Sequence, residues 1–547
     1  TLQDIKGSWP HVQPEGWAPT PWNHPWYTQE KWAKELGEDF YFTVQLRRFG
    51  GDLQGVMEKL DYLQQLGINA IYFNPINDAP SLHKYDARNY RHVDRNFGPD
   101  PKGDQEIIAR ENPLNPETWQ WTSADSLFRE IVKEAHQRDI RVILDYSWNH
   151  TGITFWAWKD VLENQEDSRF ADWYMIESFD DPATEENEFS YTGWAGVDEL
   201  PELKKVNVKN RVHGKPYEGD IHPEVKQHIF HVTRRWLDPN GDGDPSDGID
   251  GFRLDVAEQV PLGFWRDYRK FVRSINPEAY LVGEIWWEDW PDIMMDPKPY
   301  LQGDIFDAVM HYRWYMPTRS YLAQAEPKVT AGSYEAHIDS VLAGIDPPMQ
   351  RAMMNVAATH DSPRLSTSLY NRGQYKYNVK PTDDPGYKID RPGKQTRKIQ
   401  EMLLINQYTF IGSPQIWMGD ELDMWGGDDP DNRKPVNWRD VPARMEYNHP
   451  LGQPREPDTM IADYSLLALH KKLIKLRKGH PALVDGELNF LLGDAESQTL
   501  AYERFDENAH FIVLFNASEE KQLLSIDLMN SKYEFEDFDN GYSWMNV

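Results

Sequence analysis

The chain has 547 residues, 39% of them hydrophobic and 13% aromatic, which exceeds one ordinary globular core and predicts one large domain with smaller ones. Its 58 basic and 89 acidic residues give a net charge of −31, which argues against nucleic acid or an anionic membrane as a partner. The absence of cysteine excludes disulfides, thiol catalysis and thiolate metal sites. No apolar run approaches the ~18 residues of a membrane span, so membrane insertion is not expected.

The sequence begins at Thr1 with neither Met nor a signal-peptide pattern, so we expect a processed or trimmed product. Secretion or a periplasmic location fits this start, and a trimmed cytoplasmic enzyme fits it as well. The 22 Trp and 27 Tyr are unusually many. Flat rings suit the apolar faces of sugars, although most of these rings are expected in the core. The oligomeric state is left open.

From about residue 40, short alternating or apolar runs follow amphipathic helical stretches in a repeated unit. One stripe places Leu53, Leu60 and Leu66 on one face of a predicted helix, and Ala70–Phe73 follows it as a strand. Eight strands separated by helices are the number that a closed barrel requires, so the predicted fold is α/β, a (β/α)8 TIM barrel. The predicted strands are residues 41–46, 70–73, 141–145, 251–255, 280–284, 305–310, 355–359 and 415–418.

Two interruptions of this repeat set the predicted domains. Residues 151–220 are too many for a plain loop, which predicts an inserted subdomain after the third strand. After residue 484 the helical stripes give way to short alternating runs, which predict a C-terminal antiparallel β-sandwich over residues 485–547. The barrel then takes residues 39–150 and 221–484, and a lead-in segment rich in Trp and Pro takes residues 1–38.

Carboxylates recur in five short segments, most of which end a predicted strand. Because the ends of barrel strands meet at one catalytic face, we expect these side chains to share a cavity. A single Asp or Glu at a strand end is usually a helix cap or a surface charge, but that reading weakens when several motifs occur in order. The segments are DYSWNH at 145–150, GFRLD at 251–255, LVGE at 281–284, THD at 359–361 and MGDE at 418–421.

The chemistry that these segments suit is glycoside hydrolysis, which takes one carboxylic acid and one carboxylate. Asp255 and Glu284 end adjacent predicted strands. Arg253 lies two residues before Asp255, on the same strand face, where an ion pair would keep the nucleophile ionised. Apolar and aromatic neighbours of Glu284 favour its protonated form, as an acid catalyst needs. His360 and Asp361 could bind sugar hydroxyls and stabilise a charged transition state.

With these motifs in place, the chain resembles the α-amylase superfamily, glycoside hydrolase family thirteen, from about residue 40 to the C-terminus. Six shorter motifs resemble the neopullulanase and cyclomaltodextrinase branch of that family. They are GDLQG at 51–55, SLHKYD at 81–86, LDVA at 254–257, FW at 264–265, NP at 276–277 and GDIFD at 303–307.

The resemblance implies three catalytic roles: Asp255 as the nucleophile of a retaining mechanism, Glu284 as acid/base, and Asp361 as the carboxylate that bonds the ring hydroxyls. Where α-amylases often carry Lys-His, this chain has Glu258 and Gln259, so its leaving-group side differs. The resemblance also implies substrate-binding residues at the cleavage subsite, beneath its sugar and at the next sugar. They are His150, Arg253, His360, Tyr85, Asp429 and Arg433.

An acidic turn follows the predicted helix that begins at Pro223, with oxygen-bearing side chains at calcium-loop positions 1, 3, 5 and 7. Position 12 is Ile249 instead of Glu, so the loop does not close as an EF-hand, and a solvated acidic turn explains the spacing equally well. Asn149 matches a calcium ligand of many α-amylases, or it hydrogen-bonds the inserted subdomain. Calcium, if bound, is expected to be structural, because the chemistry needs no cofactor. The turn residues are Asp238, Asn240, Asp242 and Asp244.

Three functions are compatible with this sequence. The leading one is a retaining hydrolase of α-1,4-glucosidic bonds in starch-derived oligosaccharides, pullulan or cyclodextrins, with an α-glucan as its partner. The second is a transglycosylase or isomerase on the same barrel, which moves the glucosyl unit to a sugar. The third is a non-catalytic glucan-binding protein, which usually lacks one of the carboxylates that this chain retains.

Overall fold

The computed structural model describes residues 18–374, 379–523, 526 and 530–532. They divide into two compact units. The first contains Phe42–Val309 with the described residues up to Trp22, and the second contains Asn23–Tyr41 and the chain from Met310 onwards. Within these ranges no helix is both long and apolar enough to cross a membrane.

A five-stranded parallel sheet forms the centre of the first unit. Its strands lie in the order β5-β4-β3-β2-β1, and every neighbouring pair is parallel. Apolar residues run almost continuously through the strands because both faces of such a sheet are covered. The strands are β1 (Ala70–Phe73), β2 (Arg141–Ser147), β3 (Gly251–Asp255), β4 (Tyr280–Gly283) and β5 (Ala308–Val309).

The helices of this unit confirm the amphipathic stripes. Asp52 caps the helix Leu53–Leu66 by accepting from Gly55 N, and Pro223 starts another where its missing N–H costs nothing. Buried Leu, Ile, Phe and Trp side chains line one face of each long helix. The helices are Leu53–Leu66, Pro101–Arg110, Ser123–His136, Trp156–Asn164, Pro223–Leu237 and Leu262–Ile275.

The predicted first strand, residues 41–46, is wrong. Phe40–Gln45 is an α-helix, and only Arg47–Arg48 after it is extended, paired in parallel with Ala18–Pro19. The residues that this turn of helix buries are spaced three or four apart, as a helix requires. Over six residues, the aromatic and β-branched side chains satisfy a period of two as readily as one of 3.6.

Residues 151–220 carry small elements of their own. Ile176–Ser178 pairs antiparallel with Ser190–Tyr191, and Lys205–Lys209 pairs antiparallel with Glu218–Ile221. Isolated bridges join His150 to Glu202 and Tyr174 to Leu203. This segment therefore pairs back onto the chain that leaves β2. The bounds of the predicted subdomain stay a prediction.

The second unit contains two further parallel strands, β6 (Met354–Val356) and β7 (Ser413–Gln415). An isolated parallel bridge joins Met310 to Met354. A short antiparallel pair, Arg444–Glu446 with Asp458–Met460, follows β7. The helices of this unit are Lys31–Leu36, Tyr312–Leu322, Ala331–Leu342, Pro347–Ala352, Leu365–Tyr370, Lys394–Thr409, Tyr464–Gly479 and Pro481–Val484.

The C-terminal part of this unit is a three-stranded antiparallel sheet of Glu487–Asp494, Thr499–Phe505 and His510–Asn516. Its middle strand is buried along its whole length, which identifies the sheet as part of a core. Residues 524–525, 527–529 and 533–547 lie outside the described residues. The second layer of the predicted sandwich therefore stays a prediction.

The helix Leu53–Leu66 offers a test of its packing. Leu60 is fully buried and Leu63 only half-buried. We expect Leu60→Ala to lower the free energy of unfolding by about 2–5 kcal/mol, because the cavity adds to the lost transfer free energy. Leu63→Ala is the matched control and should cost less than half as much. Urea unfolding measures both, and equal losses would contradict the described packing.

Candidate active site

Arg253 lies at the centre of a cluster of carboxylates at the end of the first unit's sheet. It is fully buried on β3, and its Nη1 lies 2.6 Å from Asp255 Oδ1 and 3.1 Å from Asp145 Oδ1. Its Nη2 lies 2.9 Å from Glu284 Oε2, an ion pair without hydrogen-bond geometry. Because β2, β3 and β4 are neighbours in register, their three carboxylates converge on one guanidinium. Asp255 and Glu284 therefore meet as predicted, whereas no role had been assigned to Asp145.

Two tyrosines complete this cluster. Tyr85 Oη donates to Asp145 Oδ2 at 2.8 Å and accepts from Arg253 Nη1 at 3.1 Å, and Tyr72 Oη donates to Asp145 at 3.2 Å. Burial raises the pKa of Tyr85 well above its ordinary value, so its hydroxyl is neutral. Tyr85, which the resemblance places beneath the sugar, thus also holds the Asp145 carboxylate that orients Arg253. Its role beneath a sugar stays a prediction.

The electrostatics of Asp255 differ from our expectation of a simple ion pair. Burial, and after it Glu284 and Asp145, raise the pKa of Asp255 well above its ordinary range, although Arg253 lowers it. The raised pKa means that Asp255 keeps a proton up to a higher pH than a free carboxyl does, with Arg253 opposing this effect.

The residue after Asp255 has a strained backbone. Val256 has φ 38° and ψ 44°, a left-handed conformation that a β-branched residue rarely adopts. Its N–H donates to Glu284 Oε2 at 3.0 Å, and Glu284 N donates to Leu254 O at 2.9 Å. The turn therefore fixes the Glu284 carboxyl against the end of β3. Sequence reasoning missed it because no glycine marks the position.

Glu258 follows in the turn Ala257–Gln259. Burial, and then the nearby Glu284, raise the pKa of Glu258 to about 8. Its Oε2 is covered and has no hydrogen-bond partner among the described residues. At neutral pH this side chain is a carboxylic acid that can donate a hydrogen bond. At the position where α-amylases often have the cationic Lys of Lys-His, this chain therefore has a neutral hydrogen-bond donor, Glu258.

His150 lies in the same unit, buried and stacked on Trp194 at 5.4 Å between ring centroids. Burial lowers the pKa of His150 to about 3, and the positive charges of Lys205 and His83 add to this effect. A neutral imidazole can both donate and accept a hydrogen bond. This suits binding a sugar hydroxyl, the role that the resemblance implies.

The second unit gathers the other predicted residues. His360 is fully buried, and its Nε2 lies 2.9 Å from Asp361 Oδ2. Arg433 lies between two carboxylates, with Nε 2.5 Å from Asp429 Oδ1 and Nη2 3.6 Å from Asp361 Oδ1. All four residues therefore belong to one cluster. The Asp361 side chain is about one third exposed.

Two residues between Asp429 and Arg433 hold this cluster in place. Asn432 Nδ2 donates to three carbonyl oxygens of the His360 loop, those of Thr359, His360 and Ser362. Buried Asp431 accepts from Trp26 Nε1 at 2.7 Å and from the Tyr27 hydroxyl, both in the lead-in segment, and also from the Tyr41 hydroxyl just after it. The lead-in residues thereby anchor the motif. Sequence reasoning missed both roles because they depend on contacts about 70 and 400 residues apart in the chain.

The fifth predicted segment is structural. Asp420 pairs with buried Arg364 at 2.8 Å, and Glu421 Oε2 accepts from Gly419 N at 2.7 Å. Both carboxylates thus have local partners, an arginine and a backbone N–H. Their partners explain why acidic residues follow β7 without requiring a catalytic role.

The acidic turn predicted as a calcium loop is held by its own backbone. Asp238 accepts from Gly241 N and Gly243 N, and Asn240 and Asp242 each accept from the residue two positions later. Side chains that cap consecutive turns explain the spacing without a metal. Across the described ranges, no three His, Asp or Glu side chains are grouped so that they could hold a metal ion. Calcium at this turn stays a prediction, and residues 238–244 do not form a preorganised ligand set.

Comparison with known proteins now identifies the family. Residues 13–110 and 122–486 match the family model described as alpha amylase, catalytic domain. The chain belongs to the alpha-amylase family. The fold of this family is the (β/α)8 barrel that the sequence predicts, with the antiparallel sheet Glu487–Asn516 at its C-terminal end.

Relatives within the family place the chain in its predicted branch. It is 31% identical to neopullulanase 2 of Thermoactinomyces vulgaris over 92% of its own length, and 33% identical to a cyclomaltodextrinase of Geobacillus thermopakistaniensis over 86%. The chain spans about two thirds of the length of these relatives, 68% and 63%. A solved structure of a Nostoc punctiforme debranching enzyme is similar, with a TM-score of 0.66 and 28% identity over 95% of this chain and 89% of that one.

The shared guanidinium predicts a pH effect. Arg253 lowers the pKa of Asp255, so Arg253→Met should raise that pKa. The ionised form of Asp255 should then be present only at higher pH. We expect the acid limb of the kcat/KM profile to move up by about one pH unit or more, with a fall in kcat. Arg266→Gln, which breaks a partly exposed ion pair of the same unit, is the control and should leave the limb in place. An unmoved limb in a folded Arg253→Met protein would refute the shared cluster.

Proposed function

We propose that this protein is a retaining α-glucan hydrolase that cleaves α-1,4-glucosidic bonds in starch-derived oligosaccharides, pullulan or cyclodextrins. The observation that carries the proposal is the contact of Asp255 and Glu284 with one buried arginine at the ends of adjacent strands. Relatives named neopullulanase and cyclomaltodextrinase support the substrate class.

In the first step, Glu284 acts as the acid, and its carboxyl proton passes to the glycosidic oxygen. The bond from the anomeric carbon to that oxygen breaks, and Asp255 forms a bond to the same carbon. Arg253 stabilises the carboxylate form of Asp255 before attack, and the Val256 N–H holds Glu284 Oε2 in position. The two carboxyl groups of such enzymes lie about 5–5.5 Å apart, the separation expected here.

In the second step, the Glu284 carboxylate takes a proton from water, whose oxygen bonds to the anomeric carbon. Asp255 then leaves as a carboxylate, and two inversions retain the α configuration. A neutral His150 can accept or donate to a sugar hydroxyl without adding charge. Asp361 keeps the role of third catalytic carboxylate, and Asp429 and Arg433 keep the substrate-binding roles, that the family resemblance implies.

A transglycosylase on the same barrel is the second candidate, because the covalent intermediate can pass to a sugar hydroxyl in place of water. Glu258 supports the transglycosylase hypothesis, because its neutral carboxyl near Glu284 can donate a hydrogen bond to an acceptor sugar. The non-catalytic hypothesis is the weakest. A binding protein has no need for two carboxylates aligned on a buried cation.

Substitution of the two carboxylates separates an enzyme from a binder. We expect Asp255→Asn and Glu284→Gln each to lower kcat by a factor of about 10³ or more, because each removes one half of the double displacement. Asp238→Asn changes a buried turn carboxylate of the same unit and serves as control. Activity is measured on maltooligosaccharides. Full activity in either catalytic variant would exclude the proposed roles.

Product analysis tests the reaction itself. Digestion of starch, pullulan and β-cyclodextrin, followed by chromatography and by NMR of the first anomer released, should show α-configured shorter products. A β anomer would contradict retention. Oligomers longer than the maltooligosaccharide supplied would favour transfer over hydrolysis.

A further inference from the structure

A buried lysine lies where the chain leaving β2 meets residues 151–220. Lys205 begins the strand Lys205–Lys209, and its side chain is only 2% exposed. Its Nζ donates to Glu202 Oε2 at 2.9 Å and to the Asn149 carbonyl oxygen at 3.3 Å. A buried ammonium requires such partners, because desolvation otherwise disfavours the charge.

The Asn149 carbonyl has a second donor. Leu203 N donates to it at 2.9 Å, and the neighbouring residues His150 and Glu202 form an antiparallel bridge. A carbonyl oxygen has two lone pairs, and here Leu203 N–H and the Lys205 ammonium take both. The segment that carries His150 is thus held to residues 202–205 by backbone and ammonium together.

This arrangement leaves the backbone carbonyl of Asn149 no lone pair for a calcium ion, while the Asn149 side-chain Oδ1 is buried without a hydrogen-bond partner among the described residues. Calcium binds oxygen at about 2.3–2.6 Å and prefers several anionic or carbonyl ligands. A calcium ion at the Asn149 carbonyl oxygen would be repelled by the Lys205 ammonium, which already contacts that oxygen. Glu202, the neighbouring carboxylate, is used by that ammonium.

We propose that the Lys205 ammonium is a built-in cation that replaces a metal ion at this junction and positions the His150 segment. The part that concerns His150 rests on the proposed function, whereas the part that concerns the metal does not. Lys205 is accordingly a positioning residue.

The metal part is tested on the wild-type protein by thermal unfolding. Addition of EDTA or of millimolar calcium should each leave Tm unchanged within about 1 °C. A fall in Tm with EDTA that calcium reverses, both in the wild type and in Asp238→Asn, which alters the acidic turn, would overturn the proposal. This measurement involves no substrate, so it stands whether or not the protein hydrolyses α-glucans.

The lysine is tested by Lys205→Met, which keeps most of the side-chain volume and removes the charge. Glu202 would then be a buried carboxylate without its cation, and we expect Tm to fall by about 5 °C or more. The double variant Lys205→Met with Glu202→Gln should recover most of the loss. Lys204→Met is the matched control, because Lys204 pairs with the exposed Asp172 and should change Tm little. Equal effects of the two lysine substitutions would overturn the proposal.

Chemical rescue separates positioning from general stability. Lys205→Ala leaves room for a small cation, and ethylammonium should restore Tm and kcat together, while the uncharged ethanol should not. Lys204→Ala should respond to neither. If ethylammonium restores Tm but not kcat in Lys205→Ala, the positioning of His150 is refuted while the built-in cation stands. If it restores neither, and Lys205→Met behaves as Lys204→Met does, both parts fail.

Discussion

Arg253 imposes the constraint on which the site depends. A guanidinium with no solvent exposure must be paired, and a planar fork with several donors pairs with more than one carboxylate at once. Asp145, Asp255 and Glu284 meet that need from three adjacent strands. The register of the parallel sheet is therefore part of the chemistry, since a one-residue slip in β3 would turn Arg253 and Asp255 to the opposite face.

Burial also changes the protonation of the groups around Arg253. It raises the pKa of Asp255, although Arg253 lowers it. Glu258 extends the pattern, because burial and Glu284 keep its carboxyl neutral. His150 is neutral for the opposite reason, since burial disfavours a cation there. Arg253 is thus a buried cation, whereas Glu258 and His150 are neutral hydrogen-bonding groups.

Backbone contacts hold these side chains to the ends of their strands. The strained Val256 N–H is directed at Glu284, and Asn432 Nδ2 closes the loop that carries His360. Asp431 ties the same segment to Trp26, which explains why part of the lead-in belongs to the second unit. Such supporting contacts decide how firmly catalytic groups are held, although none of them touches a reacting atom.

The sequence by itself determined the long helices, most of the parallel strands and the pairing of Arg253 with Asp255, because each depends on spacing along one element. It also determined the family, whose motifs are short and ordered. Only the tertiary structure decided that residues 40–45 are helical, that Asp145 joins the cluster, and that Lys205 occupies the Asn149 carbonyl. These depend on contacts between segments far apart in the chain. A local pattern carries no information about which distant donor or acceptor will meet it.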